Sequence, residues 1–289
     1  MSADVSVLGL GTMGGRVAAR AAEVGLDVVG YDPDPAARER AAAAGVTIAG
    51  SAEACAGAAP LVIVSVPNPE HVTQLATGAL QHCAAGTTVA DLSTIDPTTA
   101  RDAAASLAPR DVAYLDSPVL GRPDKVGNWT LVVGGEADAI TRFTPTLLQV
   151  AAAKVVRVGD TGAGSVVKVL NNLMFGAINA VTAEAVALCR DNGVDPGVFV
   201  DTVADSGAAT VSNLFRELAP RIVSGDDDPV FALDLLAKDN RLATELAKAS
   251  GSRAPIAETV SALNVEAVRL GFGARDSGAV YRAYDGERA

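Results

Sequence analysis

The stretch Gly162-Ala163-Gly164-Ser165-Val166-Val167-Lys168-Val169-Leu170-Asn171-Asn172 holds the side chains best suited to moving a proton. Read as a helix, it sets Lys168, Asn171 and Asn172 at i, i+3 and i+4, neighbours on one face. Paired asparagines inside an apolar helix are disfavoured by propensity and costly to bury unpaired, so they are expected to face a polar cleft. An amine in such a cleft can take a proton from a bound hydroxyl group and return it. It does so best where desolvation and nearby positive charge bring a lysine pKa towards neutrality. Gly162 and Gly164 keep the helix start slim enough for a ligand or another backbone to approach. On this segment alone, a lysine snorkelling at a domain junction, with an asparagine capping a loop, stands as the alternative.

A second constellation lies near the N-terminus. Gly9-Leu10-Gly11-Thr12-Met13-Gly14 follows a short apolar run and opens a helix-forming stretch, the context in which spaced glycines form a dinucleotide-binding turn. Gly9 permits the tight turn, Gly11 lets backbone approach a pyrophosphate, and Gly14 lets helix and strand pack closely. The free N–H groups and dipole of the helix start favour the anion. Asp32 ends the next apolar run, where a carboxylate accepts from adenosine ribose hydroxyls and repels a 2′-phosphate, so NAD is expected over NADP. A turn aspartate before Pro33 is the competing reading, and Arg38 is near enough in sequence to keep NADP open. Val66-Pro67-Asn68 and Ser93-Thr94 follow later apolar runs, at the carboxyl ends of strands, where open α/β sheets place ligands.

These groups need a scaffold, and the pattern supplies one. Val5 to Leu8, Val28 to Tyr31, Leu61 to Val66, Thr87 to Asp91, Val112 to Asp116 and Leu131 to Val133 read as strands, with Met13 to Val24 and Pro35 to Ala44 among the crossover helices. A doubly wound, mostly parallel α/β Rossmann-type domain over residues 1–160 is expected. Lys154 to Val158 closes it, and Gly159 to Gly164 marks a change to helices punctuated by Gly, Pro and Asp. Residues 161–289 are expected to form an all-helical domain for substrate and dimerisation, entered by a helix from about Ala163 to Asn192 of roughly 45 Å. Helices near Pro196 to Asp205, Asp234 to Ala249 and Pro255 to Leu270 follow.

Composition narrows the classes. The 289 residues, 49% of them hydrophobic, suffice for a sizeable core. No stretch reads as the roughly 20 apolar residues of a membrane helix. The start, Met1 to Asp4, shows no signal-peptide pattern, and a cytoplasmic location is expected. A net charge of -11 disfavours a nucleic-acid partner. Cys55, Cys83 and Cys189 lack ligand-like pairing, so neither disulfides nor a metal is expected. Asp226 to Asp228 reads as a solvated loop.

With these motifs in order, the chain resembles the β-hydroxyacid dehydrogenase family, which includes 3-hydroxyisobutyrate dehydrogenase and tartronate semialdehyde reductase. The resemblance covers nearly the whole chain: the Gly9 to Gly14 loop, Asp91-Leu92-Ser93-Thr94-Ile95-Asp96-Pro97, Asp116-Ser117-Pro118-Val119, the Gly164 to Asn172 helix, Lys238-Asp239, and Gly273-Ala274-Arg275-Asp276-Ser277. It implies an NAD-dependent oxidoreductase acting on a small 3-hydroxy acid or its semialdehyde, with a C-terminal domain like that of 6-phosphogluconate dehydrogenase. It further implies Lys168 as acid/base, Asn172 holding lysine and substrate, Thr94 and Lys238 as cofactor contacts, and a homodimer or homotetramer. The nicotinamide is expected between the two domains.

One loop departs from the family pattern. Members commonly follow Pro-Val with Ser-Gly-Gly, whose backbone and hydroxyl hold the substrate carboxylate; here Leu120-Gly121-Arg122 follows Pro118-Val119. Arg122 can replace the lost hydroxyl with a bidentate carboxylate or phosphate contact, or can pair with a surface acid. Gly121, Arg122, Ser93 and Asn171 are the candidate substrate contacts. Trp129 reads as a core residue or as an apolar wall of the site. An imine reductase on the same scaffold, or an NAD-binding regulator without chemistry, are the alternatives; Lys168 and Asn172 argue against both.

Overall fold

A computed structural model describes residues 3–207 and 210–284; the outermost positions of the two expected domains, 1–2 and 285–289, lie outside it. The chain divides into two compact units, Met1–Lys168 and Val169–Ala289. In order, the first contains β1 (Val5–Leu8), α1 (Gly14–Glu23), β2 (Val28–Tyr31), α2 (Pro35–Ala43), β3 (Thr47–Ile48), α3 (Ala52–Ala56), β4 (Leu61–Val64) and α4 (Pro69–Thr77). It continues with β5 (Thr88–Asp91), α5 (Pro97–Leu107), β6 (Ala113–Asp116), β7 (Val119–Leu120), β8 (Trp129–Gly134), α6 (Ala137–Val150), β9 (Ala152–Gly159) and the start of α7 (Ala163–Asp191).

The sheet order is β3-β2-β1-β4-β5-β6-β8-β7, with β9 also paired to β8. The pairs from β3 through β6 are parallel, the doubly wound Rossmann arrangement expected from alternating strands and helices. β8 then runs antiparallel to β6 and β7 and parallel to β9. Strands such as Leu61-Val62-Ile63-Val64 are apolar throughout because both faces of the sheet are covered. Leu61 and Ile63 pack in the cluster that includes α1, α2 and α6, while Val62 and Val64 pack in the one that includes α3, α4 and α5.

Four helices in the chain start with the same chemistry, an Asp or Asn cap followed by proline. Asp34, Asn68, Asp96 and Asp195 each accept a backbone N–H from the first turn, and Pro35, Pro69, Pro97 and Pro196 lack the N–H that would go unused there.

The second unit is helical: most of α7, then α8 (Pro196–Asp205), α9 (Asn213–Ser224), α10 (Leu233–Ser250) and α11 (Pro255–Ala267). Asn179, Asn240 and Asn264 lie fully buried in it, and among the described residues none of their amide atoms meets a hydrogen-bonding group. The acidic run is partly neutralised: Arg221 lies 3.0 Å from Asp226, and Arg282 lies 3.1 Å from Asp227. One sequence expectation needs correction, since the 29-residue α7 is long and apolar enough to cross a membrane by length and composition. Its buried Asn172 is satisfied within the protein by Asp239, as in the core helix of a folded domain.

Candidate active site

The glycine turn sits between β1 and α1, and its geometry explains its glycines. Gly9 has φ +92°, and a Cβ there would lie 2.1 Å from the Ser65 carbonyl oxygen. A Cβ on Gly14 would lie 2.0 Å from the Gly9 oxygen, whereas one on Gly11 would meet nothing within 4 Å. The tight positions are therefore filled by the protein itself, and the open one faces outward beside the exposed Thr12 and half-buried Met13. Leu10 is buried, and its N–H donates to Asp32 Oδ2 at 2.7 Å. The other Asp32 oxygen accepts from Asp34 N at 2.9 Å, so the carboxylate braces the loop and keeps lone pairs for further donors. Arg38 bonds the carbonyls of Asp32 and Pro33 at 2.6 and 3.1 Å and lies over the Tyr31 ring.

The loops after β4 and β5 are tied together. Ser93 is buried, and its Oγ accepts from Val66 N at 3.0 Å, which holds Val66 and the exposed Pro67 beside the half-buried Thr94. Ser93 N in turn donates to Asp91 Oδ1 at 2.8 Å. Burial pushes the Asp91 carboxyl up, although Ser93 and the Tyr114 hydroxyl pull it down. Asn68 spends its Oδ1 on His71 N, capping α4. Parallel pairing aligns Leu8 with Val64 and Val64 with Asp91, so these loops and the glycine turn share the carboxyl edge of the sheet.

Lys168 reaches the same unit from α7: its Nζ donates to the Val119 carbonyl at 2.7 Å. Asp116, at the end of β6, accepts from Gly162 N at 2.8 Å and Ser165 N at 2.7 Å. Burial raises the Asp116 carboxyl pKa against the pull of these two amides. The slim helix start expected from Gly162 and Gly164 is used by backbone, since a Cβ on Gly164 would lie 2.4 Å from Asp116 O and 2.5 Å from Val132 O. The loop after β7 is fixed in the same manner. A Cβ on Gly121 would lie 2.3 Å from the Trp129 ring, and the Trp129 indole N–H donates to Arg122 O at 2.6 Å. Trp129 is fully buried, as a core residue, and Arg122 is exposed.

The second unit holds the remaining candidates. Asn172 is buried; its Nδ2 donates to Asp239 Oδ2 at 2.5 Å and its Oδ1 accepts from the exposed Asn171 at 3.0 Å. Lys238 Nζ lies 2.9 Å from Asp239 Oδ1. Asp239 thus joins Asn172 to Lys238, a role the sequence reading did not assign. The signal was present as an acid next to a lysine in an amphipathic helix. Among the described residues no three His, Cys, Asp or Glu side chains group as metal ligands.

Comparison with known proteins fits this geometry. Residues 4–159 match the NAD binding domain of 6-phosphogluconate dehydrogenase, and residues 162–284 match the NAD-binding family of NADP-dependent 3-hydroxyisobutyrate dehydrogenase. The chain belongs to the β-hydroxyacid dehydrogenase family. It is 34% identical to the NAD-dependent L-serine dehydrogenase of Pseudomonas aeruginosa, over 98% of each chain. It is also 34% identical to the L-threonate dehydrogenase of Escherichia coli, over 98% of this chain and 95% of that one. A solved Mycobacterium tuberculosis 3-hydroxyisobutyrate dehydrogenase with L-serine superimposes with a TM-score of 0.88 at 29% identity, covering 98% of this chain and 99% of the other. This β-hydroxyacid dehydrogenase thus carries an NAD(P)-binding Rossmann domain followed by the helical unit of its family.

Proposed function

We propose that this enzyme interconverts a small 3-hydroxy acid and its semialdehyde or keto form, with NAD as the preferred cofactor. The open Gly11, the N-terminus of α1 and the Asp32 carboxylate suit a dinucleotide, and Gly9 to Gly14, Asp32, Val66, Pro67, Asn68, Thr94 and Lys238 would hold it. When bound, the nicotinamide supplies the hydride acceptor or donor. Lys168 takes the hydroxyl proton in oxidation and returns it in reduction; Asn172, fixed by Asp239, orients the reacting group. Ser93, Gly121, Arg122 and Asn171 contact the substrate, with the Arg122 guanidinium taking its carboxylate.

The observation that carries this reading is Lys168: a lysine near the start of a helix whose first N–H groups Asp116 holds, its amine on the Val119 carbonyl, with Asn172 one turn on. The relatives are named for serine and threonate, and the imine reductase and regulator readings gain nothing from them. The test is a screen of L-serine, L-threonate, 3-hydroxyisobutyrate and 2-(hydroxymethyl)glutarate with NAD and NADP, on wild type and Lys168→Ala. Loss of the acid/base group is expected to lower kcat by about a hundredfold or more, with NAD binding retained by calorimetry. Near-normal turnover by Lys168→Ala would refute the assignment.

Residues 1–160 are read as the dinucleotide-binding domain and 161–289 as the substrate and dimerisation domain; the spans of the two family matches support this. A homodimer or homotetramer is the expected assembly, supported by α7, where Leu170, Met174, Val181 and Leu188 are exposed at helical spacing. Light scattering after size exclusion tests it. A cytoplasmic location accords with the metabolic enzymes it resembles.

A further inference from the structure

We infer that Asp116 is the positioning residue for Lys168, which rests on the reading of Lys168 as acid/base. The run from Asp116 to Val119 touches Gly162, the residue just before α7, and Ser165 and Lys168 within the first two turns of that helix. Two contacts are backbone N–H groups to separate oxygens of one carboxylate, and the third is the lysine amine to a main-chain carbonyl. The carboxylate fixes both the height and the rotation of the first helical turn, because two acceptors 2.7 and 2.8 Å from their donors cannot both survive a shift of the helix. The second half of the clamp, Val119, then meets an amine whose helix has no remaining freedom to rotate.

The surroundings leave Asp116 no other position. It is 1% exposed, a Cβ on Gly134 would lie 2.5 Å from its Oδ1, and one on Gly164 would lie 3.0 Å from its Oδ2. Glycine on both sides of the carboxyl is what lets strand, carboxylate and helix approach this closely. An asparagine has a single acceptor oxygen, so Asp116→Asn turns an amide N–H₂ towards one of the two helix donors and forces the turn to rotate.

The experiment uses the full-length enzyme and the hydroxy acid turned over fastest in the panel above, both unlabelled and deuterated at the carbinol carbon. For Asp116→Asn, kcat is expected to fall by about ten- to a hundredfold as the amine is displaced, with NAD affinity within about threefold of wild type. The primary isotope effect on kcat rises, because proton and hydride transfer become more nearly rate-limiting. Leu147→Ala, a core truncation on α6 at 0% exposure, is the control: it lowers the melting temperature and leaves the isotope effect unchanged. Should Asp116→Asn fail to fold, Asp116→Ser keeps one capping oxygen for the helix start and replaces it in the same assays. An isotope effect and kcat equal to wild type, or a loss matching that of Leu147→Ala, would overturn the inference. A dead Lys168→Ala beside an unaffected Asp116→Asn removes this inference alone, whereas an active Lys168→Ala removes both.

Discussion

Replacing Asp32 by asparagine isolates one charge from the rest of the cofactor loop. In NADP the 2′-phosphate carries roughly -1.5 to -2 charge, and beside a half-exposed carboxylate its repulsion comes to about 2–3 kcal/mol. That corresponds to a wild-type preference for NAD of about 50-fold. Asp32→Asn also damages the loop, because Leu10 N and Asp34 N each use one carboxylate oxygen and the amide can accept from only one of them. Absolute efficiency with NAD should therefore drop. The ratio of kcat/KM for NADP to that for NAD cancels the damage common to both cofactors and reports the charge. It is expected to rise by about 50-fold, helped by Arg38, whose guanidinium already lies on the Asp32 carbonyl. Steady-state assays with saturating hydroxy acid and each cofactor in turn provide the numbers. A ratio within threefold of wild type, or a wild type that prefers NADP, would show that the Asp32 carboxylate does not face the ribose.

Two further outcomes follow from burial. Desolvation pushes the Cys55 thiol up to about 12 and the Cys83 thiol to about 11, and both are buried, so a thiol reagent at pH 8 should label native protein at Cys189 alone and denatured protein at all three. Rapid labelling of two or more native thiols would contradict the packing around α3. Asn264→Leu keeps the branching of a side chain whose amide meets no partner among the described residues, and removing that group should gain about 1–2 kcal/mol, or a few degrees in the melting curve. A fall of several degrees in calorimetry would mean that the amide is satisfied in solution.

The first unit was legible where local chemistry agrees with the fold. Val5 to Leu8 and Val28 to Tyr31 coincide with β1 and β2, because buried parallel strands are apolar runs ended by turn residues. Pro196 to Asp205 coincides with α8 because Asp195 and Pro196 state its start. The same Asx-Pro signal at Asn68-Pro69 and Asp96-Pro97 marks the starts of α4 and α5. β3 and β7, two residues each, carry no period to detect, and α9 was not singled out. At the site, helical spacing gave Lys168 and Asn172, and spaced glycines gave the turn. The groups that fix them, Val119 for Lys168, Asp116 for the start of its helix and Asp239 for Asn172, lie 46 or more residues away from what they hold, and no local pattern encodes such pairs.

With the loop after β7 meeting substrate, as proposed above, the contact between Gly121 and the Trp129 indole bears on how substrate preference can change. Because any side chain at 121 collides with a ring that cannot move, and the ring in turn pins the next carbonyl, variation is channelled into the two neighbours, Leu120 and Arg122. Libraries aimed at new hydroxy acids should randomise that pair and leave the glycine and tryptophan alone, and natural divergence along this branch is expected to have travelled the same narrow route.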